Sequence, residues 1–150
     1  MNGTYTVKNV IYQAEIYPAN KPQEKKFYIG MAKGRLKKRY CTHKHSLTHK
    51  PSNNIQDNKK GHTALSEKFW EWEEDKRCPV VKWSILMKSR PPEHLNDRCL
   101  LCIHERMRII KFSKKEDLLN KRNELISPCP HRYYLTLPKI VSGITDPDHE

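Results

Sequence analysis

The sequence predicts a small α/β domain in which a three-stranded mixed or antiparallel sheet is flanked by helices in the order β-β-α-α-β-α. Two kinds of periodicity lead to this prediction. Three runs, within residues 4–17, 27–31 and 80–88, alternate apolar and polar side chains as strands do. Three others, after residues 34, 62 and 99, repeat apolar side chains at helical spacing. With 150 residues, 36% of them hydrophobic, the chain is long enough for one domain with a modest core.

The first two strands are predicted to pair as an antiparallel hairpin. Alternate residues of the first strand share one apolar face: Val10, Tyr12, Ala14 and Ile16. The segment 18–26 contains two prolines and mostly polar residues, which is typical of a connecting loop. The second strand then shows the pattern of a strand with one buried face, formed by Phe27, Ile29 and Met31.

A basic helix is predicted directly after this strand. Beyond Gly34 the period changes, and Leu36, Tyr40 and His43 fall at positions i, i+4 and i+7. We expect the helix to end near residues 45–47. Residues 48–61 offer almost nothing to bury and predict a mobile loop.

The second half of the chain predicts a helix, a strand and a helix. Thr63 is a good N-cap for a helix with the core stripe Leu65, Phe69 and Trp72. The strand at 80–88 would bury one face, formed by Val81, Trp83, Ile85 and Met87. The helix at 100–112 would bury the stripe Ile103, Met107 and Ile110. The predicted domain spans residues 1–137, and we expect residues 138–150 to form a loosely ordered tail.

The charge of the chain favours a polyanionic partner. The net charge is +12 and the isoelectric point about 9.6, so nucleic acid is the first expectation and an anionic membrane surface the second. No long apolar run supports a membrane. The first residues lack the apolar segment of a secretory signal, and the five cysteines then indicate reduced thiols or metal ligands in an intracellular protein.

Basic residues are concentrated on and around the first predicted helix. Between residues 33 and 50 there is no acidic side chain. Such a surface can follow a duplex backbone and makes binding steeply dependent on salt. The predicted DNA contacts are Lys33, Arg35, Lys37, Lys38 and Lys44.

One set of residues near the junction of the second strand and the first helix suggests phosphodiester chemistry. Tyr28 lies in the strand, and Arg39 and His43 are one turn apart on the helix. Arginine binds phosphate through its planar fork of donors, whereas tyrosine and histidine can transfer protons. A solvated basic helix beside an edge strand explains the same pattern, and this stretch alone favours neither interpretation.

Two short motifs and the helix that follows them resemble the GIY-YIG nuclease family. Val-Ile-Tyr at 10–12 and Tyr-Ile-Gly at 28–30 resemble its two signature strands, although Val10 stands where the family usually has glycine. Leu36, Arg39 and His43 match its Leu-x-x-Arg-x-x-x-His helix. The predicted order of elements also agrees with that fold, and the resemblance covers residues 9 to about 123.

The resemblance implies a set of catalytic residues. The two motif tyrosines would be Tyr12 and Tyr28, followed by Arg39 and His43, and His62 resembles a further site histidine of the homing branch. Glu105 falls on the family's metal-binding glutamate. Asn120 falls where the family has its asparagine, with Asn123 as a close competitor.

The implied activity is Mg²⁺-dependent DNA cleavage by in-line attack of water. A phenolate, Tyr28 with Tyr12 nearby, would take the proton from the water directly or through the histidine. Arg39 would neutralise the phosphoryl oxygens, and Mg²⁺ on Glu105 would stabilise the leaving oxygen. Without the resemblance, a helical glutamate paired with Arg108 or Lys111 would be the simpler interpretation of Glu105.

A second set of residues has the composition of a tetrahedral zinc site. Cys99 and Cys102 form a Cys-x-x-Cys pair, and Cys129 and His131 follow as Cys-x-His. A structural Zn²⁺ there would hold the segment after residue 120 against the helix that carries Glu105. The alternative is four unrelated positions with Cys102 simply buried.

Two functions therefore follow from the sequence. The first is a stand-alone Mg²⁺-dependent endonuclease with a structural zinc. The alternative is a zinc-stabilised nucleic-acid-binding protein that shares the fold and lacks catalysis, which the unusual Val10 favours. Nothing in the sequence selects a target site or an oligomeric state.

Overall fold

A computed structural model describes residues 6–50, 63–90, 99–113 and 117–121. It contains strands β1 (Val10–Pro18), β2 (Lys26–Ala32) and β3 (Pro79–Lys88), and helices α1 (Leu36–Thr48), α2 (Ala64–Glu74) and α3 (Leu100–Ser113). Within these ranges no helix has both the length and the apolarity needed to cross a bilayer. Most of the predicted loop at 48–61 and the whole predicted tail at 138–150 lie outside the described residues.

The sheet has three antiparallel strands in the order β2-β1-β3. This confirms the predicted small α/β class and the predicted antiparallel pairing of the first two strands. Because β1 is the central strand, both of its edges are hydrogen-bonded, and its apolar side chains are almost fully buried.

Helices cover both faces of the sheet, so the prediction of a single buried face on β2 is wrong. On one face, Tyr12 of β1 and Tyr28 of β2 pack with Leu65 and Trp72 of α2. On the other face, the strands pack against α3 (Ile11, Ile29, Leu101 and Ile109). A strand covered on both sides has no solvent-facing set of residues, which explains why Tyr28 and Gly30 are buried as well.

An irregularity in β3 moves Met87 away from its predicted face. Ile11 lies opposite Met87, but the next residue, Tyr12, lies opposite Ile85, so Leu86 is an extra residue in the ladder. A bulge of this kind reverses the alternation of side chains beyond it. Trp83 and Ile85 therefore pack in the Tyr12 cluster, whereas Met87 packs in the α3 cluster.

The predicted apolar stripe of α3 is also wrong. Met107 and Ile110 are 61% and 56% exposed, and the helix buries Leu101, Cys102 and Ile109 instead. The helix carries apolar residues on more than one side, so its sequence period does not select a face, and packing against the sheet does. As a result, Glu105 lies on the same stripe as Cys102 and Ile109, at the side of α3 that meets the sheet.

The start of α2 agrees with the prediction. Thr63 is the N-cap, and a capping box links it to Ser66: the Thr63 hydroxyl accepts from the Ser66 N–H, and the Ser66 hydroxyl accepts from the Thr63 N–H. Leu65 and Trp72 are buried as expected. The indole of Trp70 donates to the Ser46 carbonyl at 2.9 Å and thereby joins α2 to α1.

The segment 117–121 continues the sheet along the outer edge of β2. The Phe27 N–H donates to the Asp117 carbonyl, and the Leu119 N–H donates to the Phe27 carbonyl, both at 2.7 Å. The Asn120 amide then acts as a strand residue would. Its Oδ1 accepts from the Ile29 N–H at 2.8 Å, and its Nδ2 donates to the Ile29 carbonyl at 2.7 Å. This pairing satisfies a strand edge that would otherwise be open.

Replacing Asn120 with alanine should lower the free energy of unfolding by about 1–3 kcal/mol, because two backbone groups of the buried Ile29 lose their partner. Urea denaturation measures the effect. The matched control is Lys121→Ala, which removes an exposed ion pair with Glu67 and should cost less than about 1 kcal/mol. Equal losses in the two variants would show that the amide does not hold the edge.

Candidate active site

The phenol of Tyr12 lies directly over Gly30 on the neighbouring strand. The two residues are opposite each other in the β1–β2 ladder. A Cβ atom on Gly30 would clash with the Tyr12 hydroxyl and would come within 2.6 Å of Cζ. Glycine is therefore required at position 30 so that the ring can cross the strand, whereas a Cβ on Gly34 would meet open space. This contact gives the glycine of the Tyr-Ile-Gly motif a steric role.

Two residues of α1 hold the Tyr12 hydroxyl. Arg39 Nε donates to the phenol oxygen at 3.1 Å, and the same oxygen lies 2.7 Å from His43 Nε2. Arg39 and His43 are four residues apart, so one helix face presents both groups to one atom. Since arginine can only donate, the arrangement that satisfies all three groups has the Tyr12 hydroxyl donating to an Nε2 that carries no proton.

Burial keeps His43 neutral. The side chain is 1% exposed, and burial together with the nearby Arg39 cation lowers its pKa from 6.5 to about 4. At neutral pH roughly one molecule in a thousand would carry the imidazolium. Burial also disfavours the charge on Arg39, but its interactions with the phenols of Tyr12 and Tyr28 outweigh this effect and raise its pKa.

Trp83, which the sequence suggested only as a core residue, forms the wall behind these groups. Its ring centroid lies 5.2 Å from that of His43, 5.7 Å from that of Tyr12 and 5.5 Å from that of Tyr40. The Tyr28 and His43 rings meet edge to face at 5.8 Å. Such packing fixes the rings in place and excludes water from the hydrogen bonds between them.

In front of Arg39 the surface opens into a cleft of about 480 Å³. Arg39 and its α1 neighbours form one wall, and Glu105 of α3 also lines the cleft. The remaining lining comes from the end of β2 and the turn into α1: Met31, Ala32, Lys33, Gly34 and Arg35. The structure thus places on one cleft the guanidinium that the sequence suggested for phosphate and the carboxylate that the resemblance suggested for a metal.

Charge is unevenly distributed between the helices. The α1 sequence contains no acidic residue, whereas α2 contains four glutamates and one lysine. The predicted DNA contacts Lys33, Arg35, Lys37, Lys38 and Lys44 are all exposed. Within the described part of the chain, no ion pair involves Arg35, Lys37, Lys38 or Lys44. A polyanion would therefore meet cations that are not neutralised.

The other predicted site residues are separate from this cleft or fall outside the described ranges. Asn120 binds the Ile29 backbone at the β2 edge, which gives it a positioning role, and its catalytic role stays a prediction. His62, Asn123, Cys129 and His131 lie outside the described residues. Cys102 is buried with its sulfur 3.9 Å from that of Met31, and Cys99 is partly exposed. Among the described residues, no three His, Cys, Asp or Glu side chains are grouped to hold a metal.

Comparisons with protein families, with curated proteins and with solved structures found no match for this chain. Any assignment of chemistry therefore depends on the geometry of the cleft and on the resemblance in β1, β2 and α1.

Gly30→Ala should destabilise the fold by about 1–3 kcal/mol, since the new methyl group forces the buried Tyr12 ring away from Arg39 and His43. Gly34→Ala is the control, because it adds the same group where there is space. Urea unfolding of both variants tests the contact. A Gly30 variant as stable as the Gly34 variant would contradict it.

His43 should make the protein less stable in weak acid. Its folded-state pKa of about 4 lies below the 6.5 of the unfolded chain, so the unfolded chain binds the proton first as the pH falls. The contribution is complete above pH 6.5 and should be lost by about pH 4, with a total of roughly 3 kcal/mol.

The measurement is the free energy of unfolding across this pH range for wild type, His43→Gln and His45→Gln. His45 is exposed on the same helix and serves as the control. The His43 variant should have a shallower dependence on pH than the other two proteins. Three parallel curves would show that His43 is not held neutral by burial.

Proposed function

We propose that this protein is a Mg²⁺-dependent DNA endonuclease similar to the GIY-YIG nucleases. The observation that carries the proposal is the single cleft lined by Arg39 and Glu105, with Tyr12 and His43 hydrogen-bonded behind the arginine. The exposed cations of α1 and the net charge of +12 support a nucleic acid as the substrate.

Arg39 is the group best placed to bind the scissile phosphate. Its Nε donates to Tyr12 and its guanidinium also interacts with Tyr28, so the two phenols orient the planar group at the wall of the cleft. An oriented and partly buried cation stabilises the charge that develops on the phosphoryl oxygens. Lys38 and Arg35 line the same cleft and add to the positive potential.

The proton acceptor for the attacking water is a phenol oxygen rather than His43. An imidazole with a pKa of about 4 is a weak base, and its Nε2 already faces the Tyr12 hydroxyl. Tyr28 is 6% exposed and Tyr12 only 1%, so Tyr28 is the better candidate for contact with water. Arg39, which interacts with both phenols, stabilises negative charge on either oxygen. His43 then acts as a positioning residue for Tyr12.

The donor set suits Mg²⁺. Glu105 offers one hard oxygen ligand beside a phosphate-binding cation, and Mg²⁺ typically combines one or two carboxylates with waters and substrate phosphate. A cage built only from protein ligands has no counterpart among the described residues. The ion, when bound by Glu105, supplies electrostatic stabilisation of the phosphoryl and leaving oxygens.

The burial of Tyr12 and His43 favours a second candidate function. Both side chains are 1% exposed, as core residues are, and Val10 departs from the family motif. A zinc-stabilised protein that binds nucleic acid without cutting it would keep the same cleft and basic helix. Elemental analysis for zinc, together with a plasmid-nicking assay, separates the two candidates.

Glu105→Gln should abolish Mg²⁺-dependent nicking of supercoiled plasmid while leaving DNA affinity within a few-fold of wild type, because the amide keeps the shape and loses the ligand charge. Glu71→Gln, an exposed glutamate of α2, is the control and should cut normally. A Glu105 variant that cuts like wild type would disprove the metal role.

Arg39→Lys should reduce the cleavage rate roughly a hundredfold at saturating DNA, since lysine keeps the charge and loses the planar fork that Tyr12 orients. Arg35→Lys makes the same exchange on the exposed wall of the cleft and should change the rate little. The cleavage rates of the two variants are compared by single-turnover kinetics in the plasmid-nicking assay. Equal rates in both variants would show that Arg39 contributes only its positive charge.

A further inference from the structure

A second, smaller cleft of about 340 Å³ lies on an adjacent face of α3. It is lined by Met87 of β3 and by four residues of the helix: His104, Met107, Arg108 and Lys111. His104, Arg108 and Lys111 occur at positions i, i+4 and i+7, so they form one continuous stripe. We refer to these three residues as the α3 basic stripe.

The α3 basic stripe lies next to the proposed catalytic carboxylate. His104 and Glu105 are consecutive, which places their side chains about 100° apart around the helix axis. Glu105 lines the first cleft, whereas the stripe lines the second, so α3 separates the two. Glu105 and Arg108, at positions i and i+3, are neighbours on the helix surface, so a chain of phosphates that passes Glu105 can continue along the stripe.

The two cations of the stripe, Arg108 and Lys111, are not paired with a carboxylate among the described residues. Arg108 is only partly exposed, yet neither it nor Lys111 forms an ion pair with any described residue. Other cations do form such pairs, for example Lys26 with Asp117 and Lys121 with Glu67. A partly buried guanidinium facing a cleft without a carboxylate is a suitable partner for an external anion.

The length of the stripe matches a nucleic-acid backbone. From residue 104 to residue 111 the helix rises about 10 Å. One strand of a DNA duplex presents a phosphate about every 3.4 Å along its axis, so the stripe spans about three phosphates. The apolar lining by Met87 and Met107 suits the deoxyribose groups between them.

We propose that the α3 basic stripe binds the DNA backbone beside the scissile phosphate and so fixes the register of the duplex over Glu105. This proposal rests on the proposed nuclease function but concerns binding alone. Backbone contacts of this kind position a duplex without reading its sequence.

The test compares wild type, Arg108→Ala/Lys111→Ala, and a control that removes two lysines at the far end of the sheet, Lys25→Ala/Lys82→Ala. Fluorescence anisotropy with a labelled DNA duplex, without added Mg²⁺, gives the Kd over a series of salt concentrations. The stripe variant should bind roughly tenfold more weakly at a fixed salt concentration, and its slope of log K against log salt should fall by about 2. The control should match wild type.

A charge-preserving exchange, Arg108→Lys/Lys111→Arg, should restore the wild-type slope, which excludes a simple loss of folding. If the stripe variant and the control bind alike, the inference is overturned although the nuclease proposal stands. If the stripe variant loses affinity only for anionic phospholipid vesicles, the inference is likewise overturned. If the wild type binds DNA but never nicks plasmid, and the stripe variant binds DNA more weakly than the wild type, the stripe is supported and the cleavage is refuted. A wild type that does not bind DNA would overturn both.

Discussion

The Tyr12 phenol is the point at which three elements of the fold meet. It starts on the central strand, crosses β2 above Gly30, and ends between Arg39 and His43 of α1. This path allows no side chain at position 30, and the two hydrogen bonds direct the Arg39 and His43 face of α1 toward the phenol. The hydrogen bonds are enclosed by aromatic rings and are consequently stronger than they would be in water.

The same constraint divides the site into a buried part and an open part. The phenol and the imidazole are enclosed, whereas Arg39 reaches from them into the cleft that Glu105 also lines. The arrangement explains how a protein with a modest core keeps a guanidinium oriented at its surface.

Electrostatics and shape agree on where an anion would approach. Among the described residues the glutamates are concentrated on α2, while α1 and the α3 basic stripe carry cations beside two clefts. Among the described residues that line the two clefts, Glu105 is the one with an acidic side chain. A carboxylate in a basic surface can neutralise neighbouring side chains or bind a metal, and the proposed function assigns Glu105 the second role.

The sequence by itself determined the α/β class, the hairpin, the N-cap at Thr63 and the one-turn spacing of Arg39 and His43, because local periodicity and capping depend on near neighbours. Only the tertiary structure decided which face of α3 is buried and on which side of the sheet Met87 packs after the β3 bulge. It also decided that Asn120 binds the edge of β2. These features result from packing between residues distant in sequence. The α3 helix has apolar residues on several sides, so the sheet selected its orientation and thereby placed Glu105 at the cleft.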